Sequence, residues 1–341
     1  MSTRAAPERP PLPLPLPWHA QWVRQLQTAW QTDRFPHALL LSGPQGLGKR
    51  VFADWLARAL LCETHSVELS PCGHCSGCKL TEAGSHPDLQ NIEPEEGKQQ
   101  IAVDQLREAA EKLAMTAYRS GRKVVLVDPA HQMSASAANS LLKTLEEPSP
   151  GSVLILLTSK PSALLATIRS RCLKLALRRP ANAEALSWLA DAGGHPVSAQ
   201  LLEFAAGAPL RAQVYAAGDF DKLDADMHNS LADLCNGSSD VTQVAGFWAR
   251  EMLSDRLTWL DVALTALARG EMTGSPELAE FPRKPLPLPK RTAPLNITAV
   301  YALVDRVREL KALLERTALQ RELAVEVLLL DFITTLSATA V

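Results

Sequence analysis

The sequence predicts an α/β domain built around a phosphate-binding loop, followed by a helical carboxyl-terminal region. Three observations support this prediction. An apolar run over 38–41 leads into a glycine-rich loop, a second run over 124–127 ends in Asp128, and apolar residues recur at helical spacing beyond residue 224. Runs of four consecutive apolar residues are typical of buried parallel strands, whose carboxyl ends carry the ligand sites of open α/β folds.

The composition is that of an ordinary globular protein. The chain has 341 residues, of which 46% are hydrophobic and 21% are charged. The length is enough for two or three domains with apolar cores, and the hydrophobic fraction excludes a chain dominated by disorder. The formal net charge is only -2, so a freestanding DNA-binding domain is disfavoured. Any contact with nucleic acid has to come from a local patch of charge.

The amino-terminal residues, MSTRAAPERP, contain no apolar signal core, and no run approaches the roughly 18 apolar residues of a membrane span. We therefore expect a cytoplasmic protein with no membrane partner. The proline-rich stretch PPLPLPLP, from Pro10 to Pro17, cannot enter a helix interior or a central strand. It predicts an extended tail over residues 1–17.

The glycine-rich loop reads GPQGLGKR and matches the pattern GxxxxGK[ST] except at its last position. Gly43, Gly46 and Gly48 allow the backbone to approach a polyphosphate closely, and Lys49 would supply a positive charge. Arg50 stands where a Ser or Thr hydroxyl would hold Mg²⁺. The loop is therefore predicted to bind phosphate and to be poorly equipped for hydrolysis, although such a short motif also occurs in turns that bind nothing.

Asp128 is the candidate for the acid that holds a metal beside the loop, because it follows a buried strand directly. Pro129 and Ala130 come next, where a hydrolysing enzyme would place a water-activating Glu. Thr158 ends another apolar run, over 153–158, and is predicted to lie at the same edge of the sheet. Two separate losses in one chemistry indicate a degenerate ATPase.

Cysteine spacing predicts a metal site. Two overlapping CxxC steps in CGHCSGC and one cysteine ten residues upstream provide four thiolates, namely Cys62, Cys72, Cys75 and Cys78. Four protein ligands close a tetrahedral Zn²⁺ site, which favours a structural metal over a catalytic one. His74 is an alternative ligand.

Two other functions remain open at this point. Lys49 and Asp128 are both retained, so the chain could be an independent ATPase with an unusual metal site. A zinc-stabilised DNA-binding module would instead need basic residues around the cysteines. The neighbours there are Glu63, Glu68 and Glu82, with only Lys79 to oppose them.

The run VVLVDPAHQMSASAANSLLKTLEEPSPGSVLILLTSKPSALLATIRSRC, together with GPQGLGKR and the four cysteines, closely resembles the bacterial replicative clamp loader of DNA polymerase III. The resemblance covers residues 18 to 220 and implies an AAA+ fold. It implies a nucleotide-binding-like domain over 18–179 with a zinc module over 62–78. A small helical lid over 180–222 and a helical collar that makes the oligomer over 223–341 would follow.

The same resemblance implies roles for individual residues. The SRC motif at 170–172 makes Arg171 an arginine finger for the ATP of an adjacent subunit, with Arg169 as a second candidate. Thr158 matches the sensor strand, and the four cysteines match the zinc ligands. Arg211, within GAPLR, resembles the second sensor of the lid, although a solvated surface arginine is an alternative there.

Members of this family that hydrolyse ATP carry both the loop hydroxyl and the Glu that this sequence lacks. The resemblance therefore implies a subunit that scaffolds the ring without hydrolysing ATP, in which the loop could still bind nucleotide. Its implied partners are the gamma/tau ATPase subunits and the delta subunit. Through the complex they include the sliding clamp and primer-template DNA. The assembly is part of the DNA polymerase III holoenzyme, a DNA-directed DNA polymerase and hence a nucleotidyltransferase.

Overall fold

A computed structural model describes residues 15–64, 67–98, 100–119, 121–274, 285–289, 295–314 and 320–337. The chain divides into two compact units, one formed by Met1–Ala192 with Ala208–Arg211 and the other by Gly193–Gly207 with Ala212–Val341. The predicted tail lies outside the described residues except for 15–17. The predicted boundaries after residues 179 and 222 fall within these units and stay predictions.

The first unit contains a parallel sheet, as the sequence predicts. Its strands among the described residues are β1 (Ala38–Ser42), β2 (Leu89–Ile92), β3 (Lys123–Val127), β4 (Ser152–Thr158) and β5 (Leu173–Ala176). Their order is β2-β3-β4-β1-β5, and every neighbouring pair is parallel. The central strands β1 and β4 are buried along almost their whole length, because helices cover both faces of the sheet.

The helices of this unit are α1 (Ala20–Gln31), α2 (Lys49–Leu60), α3 (Ser76–Glu82), α4 (Val103–Ala114), α5 (Ala135–Glu146), α6 (Ala166–Arg171) and α7 (Asn182–Asp191). They form two apolar cores. One contains Trp22 and Phe52 from α1 and α2, and the other contains Leu106 and Leu141 from α4 and α5. The loop and the carboxyl ends of the strands are therefore held in place by two packed cores.

The named elements in the described part of the second unit are all helices, which confirms the helical spacing seen beyond residue 224. Its helices are α8 (Ala199–Phe204), α10 (Phe220–Asn236), α11 (Val241–Arg250), α12 (Leu253–Thr273), α13 (Ile297–Leu314) and α14 (Arg321–Ser337), while α9 (Pro209–Val214) crosses the boundary between the units. Helix α12 packs against α13, and α11 against α14. None of the described helices is both long and apolar enough to span a membrane.

Candidate functional site

The glycine-rich loop connects β1 to α2 at the carboxyl edge of the sheet. The Gly43 amide donates to the Thr158 carbonyl at 3.2 Å, so the beginning of the loop is tied to the end of β4. Gly48 has φ of 80° and is the N-cap of α2, a conformation that glycine adopts without strain. The amino end of α2 therefore follows the loop directly, as phosphate binding requires.

Residues from two distant segments cover this loop. A Cβ atom at Gly48 would lie 2.5 Å from Leu16 Cδ1, and one at Gly46 would lie 2.6 Å from Arg211 Cβ. The Leu210 amide also donates to the Gly46 carbonyl at 3.1 Å. The glycines are thus needed for close packing as well as for the turn. Arg211 lies beside the loop, and its role as a second sensor stays a prediction.

Lys49 closes the loop on itself. Its Nζ donates to the carbonyl oxygens of Gly43 at 2.8 Å and Pro44 at 2.7 Å. Burial lowers the pKa of Lys49 to about 8, and the negative charge of Asp128 partly opposes this shift. With a pKa of about 8, the ammonium group is mostly protonated at neutral pH. A phosphate group would have to compete with the two carbonyl oxygens for it.

Arg50 lies among three carboxylates. Its Nε is 2.9 Å from Asp54 Oδ1, and its Nη1 is 2.5 Å from Glu93 Oε1 and 3.6 Å from Asp128 Oδ2. Glu93 follows β2 as Asp128 follows β3, and this position at a strand end was the signal that sequence reasoning missed. The predicted loop and the predicted acid lie next to each other, and the guanidinium group of Arg50 joins them.

Thr158 takes part in a second polar contact that the sequence did not reveal. Its Oγ1 accepts from the Lys160 amide at 3.0 Å and forms a hydrogen bond with His131 Nδ1 at 3.1 Å. His131 comes three residues after Asp128, and that spacing was the available signal. The hydrogen bond joins the segment that follows β3 to the end of β4.

His19 holds the amino-terminal segment on the loop and was also missed. Its Nδ1 accepts from the Leu16 amide at 3.2 Å, so the neutral ring carries its hydrogen on Nε2, which lies 3.0 Å from the Leu47 carbonyl. The ring stacks on Trp22 and meets the edge of Phe52, with centroid distances of 5.9 and 5.2 Å. Leu47 is 28 residues away along the chain, so no local pattern could have predicted this contact.

We expect the free energy of unfolding to decrease as the pH is lowered, because of His19. Burial lowers the pKa of His19 from 6.5 to about 4, so the unfolded chain binds the proton more tightly than the folded chain does. The stabilisation is complete above pH 6.5 and is lost as the pH falls towards 4. About 2 kcal/mol of it is gone at pH 5. Urea unfolding at pH 7 and pH 5 measures this loss.

His19→Gln should flatten this pH dependence, whereas His195→Gln should leave it intact, since His195 is an exposed histidine of the other unit. Equal pH dependence in the wild-type chain and in His19→Gln would contradict the prediction.

The four predicted cysteines come together at the end of α2 and the beginning of α3. Their sulfur atoms all lie within 4.8 Å of one another. The Cys62–Cys75 and Cys72–Cys78 sulfur pairs are each 3.9 Å apart, close to the roughly 3.8 Å edge of a tetrahedron with Zn–S bonds of about 2.3 Å. The donor set therefore fits a closed zinc site.

Backbone amides prepare two of these sulfur atoms to carry negative charge. The Cys75 amide donates to Cys72 Sγ at 3.4 Å, and the Cys78 amide donates to Cys75 Sγ at 3.3 Å. Hydrogen bonds from the His74 and Cys75 amides lower the pKa of Cys72 to about 5. His74 is exposed, and its ring Nδ1 lies 2.8 Å from the Cys72 carbonyl. Four thiolates are thus the simpler ligand set.

Arg171 lies at the end of α6, with 36% of its side chain exposed. Its Nη2 is 2.5 Å from Glu146 Oε1, and its Nη1 donates to the Thr167 carbonyl at 3.1 Å. Both of these contacts are on α5 and α6, not on the loop. Arg169, the second candidate, has its Nε buried without a hydrogen-bond partner among the described residues. The guanidinium group of Arg171 is the more accessible of the two.

The structure therefore groups the predicted residues into three places. The edge of the sheet holds Gly43, Gly46, Gly48, Lys49, Arg50, Asp128 and Thr158, with Arg211 beside them. The cysteines form a separate cluster, and Arg171 lies on the helix before β5.

Comparison with known proteins identifies the family. A family profile described as "DNA polymerase III, delta subunit" matches residues 18–181. A DNA polymerase III subunit delta' from Pseudomonas aeruginosa is 47% identical over 180 residues, which are 52% of this chain and 55% of that protein. A subunit tau from Bacillus subtilis is 36% identical over 157 residues, which are 46% of this chain and 27% of that protein.

The match to the DNA polymerase III subunit delta' from Escherichia coli is longer. It has 35% identity over 317 residues, which are 92% of this chain and 94% of that protein. A match of this length extends into both compact units. The chain belongs to the DNA polymerase III subunit delta' family.

Proposed function

We propose that this chain is a clamp-loader subunit that does not hydrolyse ATP itself and that offers Arg171 to ATP held by a neighbouring subunit. It would assemble with gamma/tau ATPase subunits and a delta subunit, and the complex would place the sliding clamp on primer-template DNA. Its kinship to both the delta' and tau proteins supports a place in such an assembly.

The observation that carries this proposal is the exposed guanidinium group of Arg171. It lies on the surface of the first unit, and its described polar contacts are with Glu146 and Thr167. A planar guanidinium group is suited to stabilise the charge that develops on a transferred phosphoryl group. A group in this position is available to the nucleotide of another subunit.

The chain's own loop supports the proposal that the chain does not hydrolyse ATP itself. Arg50 replaces the hydroxyl that holds Mg²⁺, and Pro129 follows Asp128 where a water-activating Glu is needed. Without the metal and the general base, phosphoryl transfer loses its electrostatic support and its activated nucleophile. Binding of ATP by the loop is compatible with this proposal, whereas hydrolysis is not.

We also propose that Cys62, Cys72, Cys75 and Cys78 hold one Zn²⁺ ion. A site with four protein thiolates leaves no position for a substrate or water, so the metal would act only on stability. It would fasten the segment between α2 and α3, from which Leu61 and Leu69 are buried in the core.

Nucleotide turnover tests the proposed function. The purified chain alone is expected to show no ATP hydrolysis above background. Mixed with gamma/tau and delta subunits, it should co-elute with them and raise the ATPase rate that the clamp and primed DNA stimulate. Size-exclusion chromatography and steady-state ATPase assays measure the two effects separately.

Turnover by the isolated chain would favour the alternative, an independent ATPase with an unusual metal site. Failure to co-elute with the other subunits would reject the assembly itself.

A further inference from the structure

We infer that the Arg50 guanidinium group is a built-in substitute for the divalent cation of this loop. Its positive charge offsets part of the negative charge of Asp54, Glu93 and Asp128, whose carboxylates would otherwise form a site for Mg²⁺ or Mn²⁺. This inference goes beyond the proposed function, because it concerns only the charge balance of the isolated first unit. It would hold whether or not the chain joins a clamp loader.

Strand pairing fixes two of the three carboxylates side by side. Ile92 of β2 is paired with Val127 of β3, and the Asp128 amide donates to the Ile92 carbonyl at 2.9 Å. Glu93 and Asp128, the next residue on each strand, therefore emerge together at the carboxyl edge of the sheet. They face α2, whose first turn carries Arg50.

Helix geometry supplies the third carboxylate. Asp54 lies four residues after Arg50, on the same face of α2, and its Oδ1 is 2.9 Å from Arg50 Nε. The guanidinium group then turns Nη1 towards the strand ends, 2.5 Å from Glu93 and 3.6 Å from Asp128. One side chain thus bridges a helix and two strands, a task that a single point charge on a flexible amine would not reproduce.

The three acids repel one another when Arg50 is taken away. Desolvation raises the pKa values of Asp54 and Asp128, and the charge of Arg50 is the largest opposing influence on each of them. The other nearby cations are Arg58, which acts on Asp54, and Lys49, which acts on Asp128. Lys49 is already bound to the loop carbonyls. A set of oxygen ligands without Arg50 would therefore attract a hard cation.

The position of Arg50 in the loop makes the two arrangements mutually exclusive. A Ser or Thr at this position would add a hydroxyl ligand on one side of the cation, with Asp128 on the other. The guanidinium group lies 3.6 Å from Asp128 Oδ2 and 2.5 Å from Glu93 Oε1 and carries a positive charge, so it excludes a cation at these carboxylates sterically and electrostatically. The arginine is more than the loss of a ligand, because it places one positive charge beside carboxylates that would otherwise attract a divalent ion.

The experiment compares the wild-type chain with Arg50→Ser in thermal unfolding, without and with millimolar Mg²⁺ or Mn²⁺. Without divalent cations, the Tm of Arg50→Ser should be about 2 to 4 °C lower, as expected for a partly exposed ion-pair network. Added Mg²⁺ should restore most of this shift, and Mn²⁺ should show a bound signal in electron paramagnetic resonance. The wild-type chain should show neither response.

Two controls locate the effect. Arg58→Ser removes an arginine of the same helix that lies 3.7 Å from Glu82 and leaves Arg50 in place, so it should not produce a response to cations. Adding Asp128→Asn to Arg50→Ser should abolish the response. If Arg50→Ser folds only when Mg²⁺ is present, the inference is supported.

If Arg50→Ser does not fold under either condition, Arg50→Gln is used instead, because glutamine keeps most of the volume of the arginine side chain. A bound Mn²⁺ signal in Arg50→Gln would then support the inference. No cation response in a folded Arg50 variant would overturn the inference. A wild-type Mn²⁺ signal that Asp128→Asn removes would overturn it as well.

Discussion

Arg171→Ala should lower the ATPase rate of the assembled complex about 10³-fold or more at the site that this arginine serves. The reason is electrostatic. The guanidinium group stabilises charge that appears on the γ-phosphate only in the transition state, so its removal affects turnover far more than nucleotide binding. Assembly of the subunits should be unchanged.

The stability of the chain should hardly respond to the same substitution. The pair between Arg171 and Glu146 is partly exposed, with 36% and 51% of the two side chains accessible. Pairs of this kind contribute about 0 to 1 kcal/mol. A large loss of ATPase without a loss of stability would therefore indicate a role outside the chain's own fold.

Two control variants distinguish the effect of the Arg171 guanidinium group from the effect of losing its ion pair or of removing any exposed arginine. Glu146→Ala breaks the same ion pair and keeps the guanidinium group, so it should retain most of the ATPase activity. Arg107→Ala removes an exposed arginine of α4, whose Nη1 lies 3.4 Å from Asp104, and should behave as the wild-type chain does. Assays of the reconstituted complex with saturating ATP measure all three. An unchanged rate in Arg171→Ala, or an equal loss in Glu146→Ala, would contradict the proposed role.

Loss of the metal should unfold the cysteine segment. Cys78 is fully buried, and its sulfur is 3.9 Å from that of Cys72. Structural zinc contributes on the order of 10 kcal/mol to the folding of small zinc-dependent peptides. To offset such a loss, the segment around α3 has a helix of seven residues and the buried side chains of Leu61 and Leu69. We expect Cys78→Ser, or a strong chelator, to abolish hydrogen-exchange protection over 62–82.

Metal analysis of the purified protein should find one zinc per chain, reduced by Cys78→Ser and unaffected by Cys235→Ser. Cys235 is a half-buried thiol of α10 in the second unit, which makes it a suitable control. Hydrogen exchange followed by mass spectrometry reports the segment directly. Full protection over 62–82 in a metal-free sample would show that the thiols pack without an ion.

The sequence by itself determined the features that depend on neighbouring residues. The apolar runs at β1, β3 and β4 and the glycines of the loop are local patterns, since burial and backbone conformation follow from short stretches of chain. The spacing of the cysteines was equally local, and the structure brings all four together. The defects at Arg50 and Pro129 could also be read directly, because they are single departures from a linear motif.

Only the tertiary structure decided which distant side chains complete these patterns. Arg50 meets Glu93 from 43 residues away, His19 meets Leu47 from 28 residues away, and Arg171 meets Glu146 from 25 residues away. The strand order places β1 between β4 and β5, and no local spacing specifies that order. Such contacts depend on which chain segments the packed cores bring together. In the sequence Arg50 is only the loss of a metal ligand, whereas in the folded chain it forms ion pairs with residues of a helix and of two strand ends.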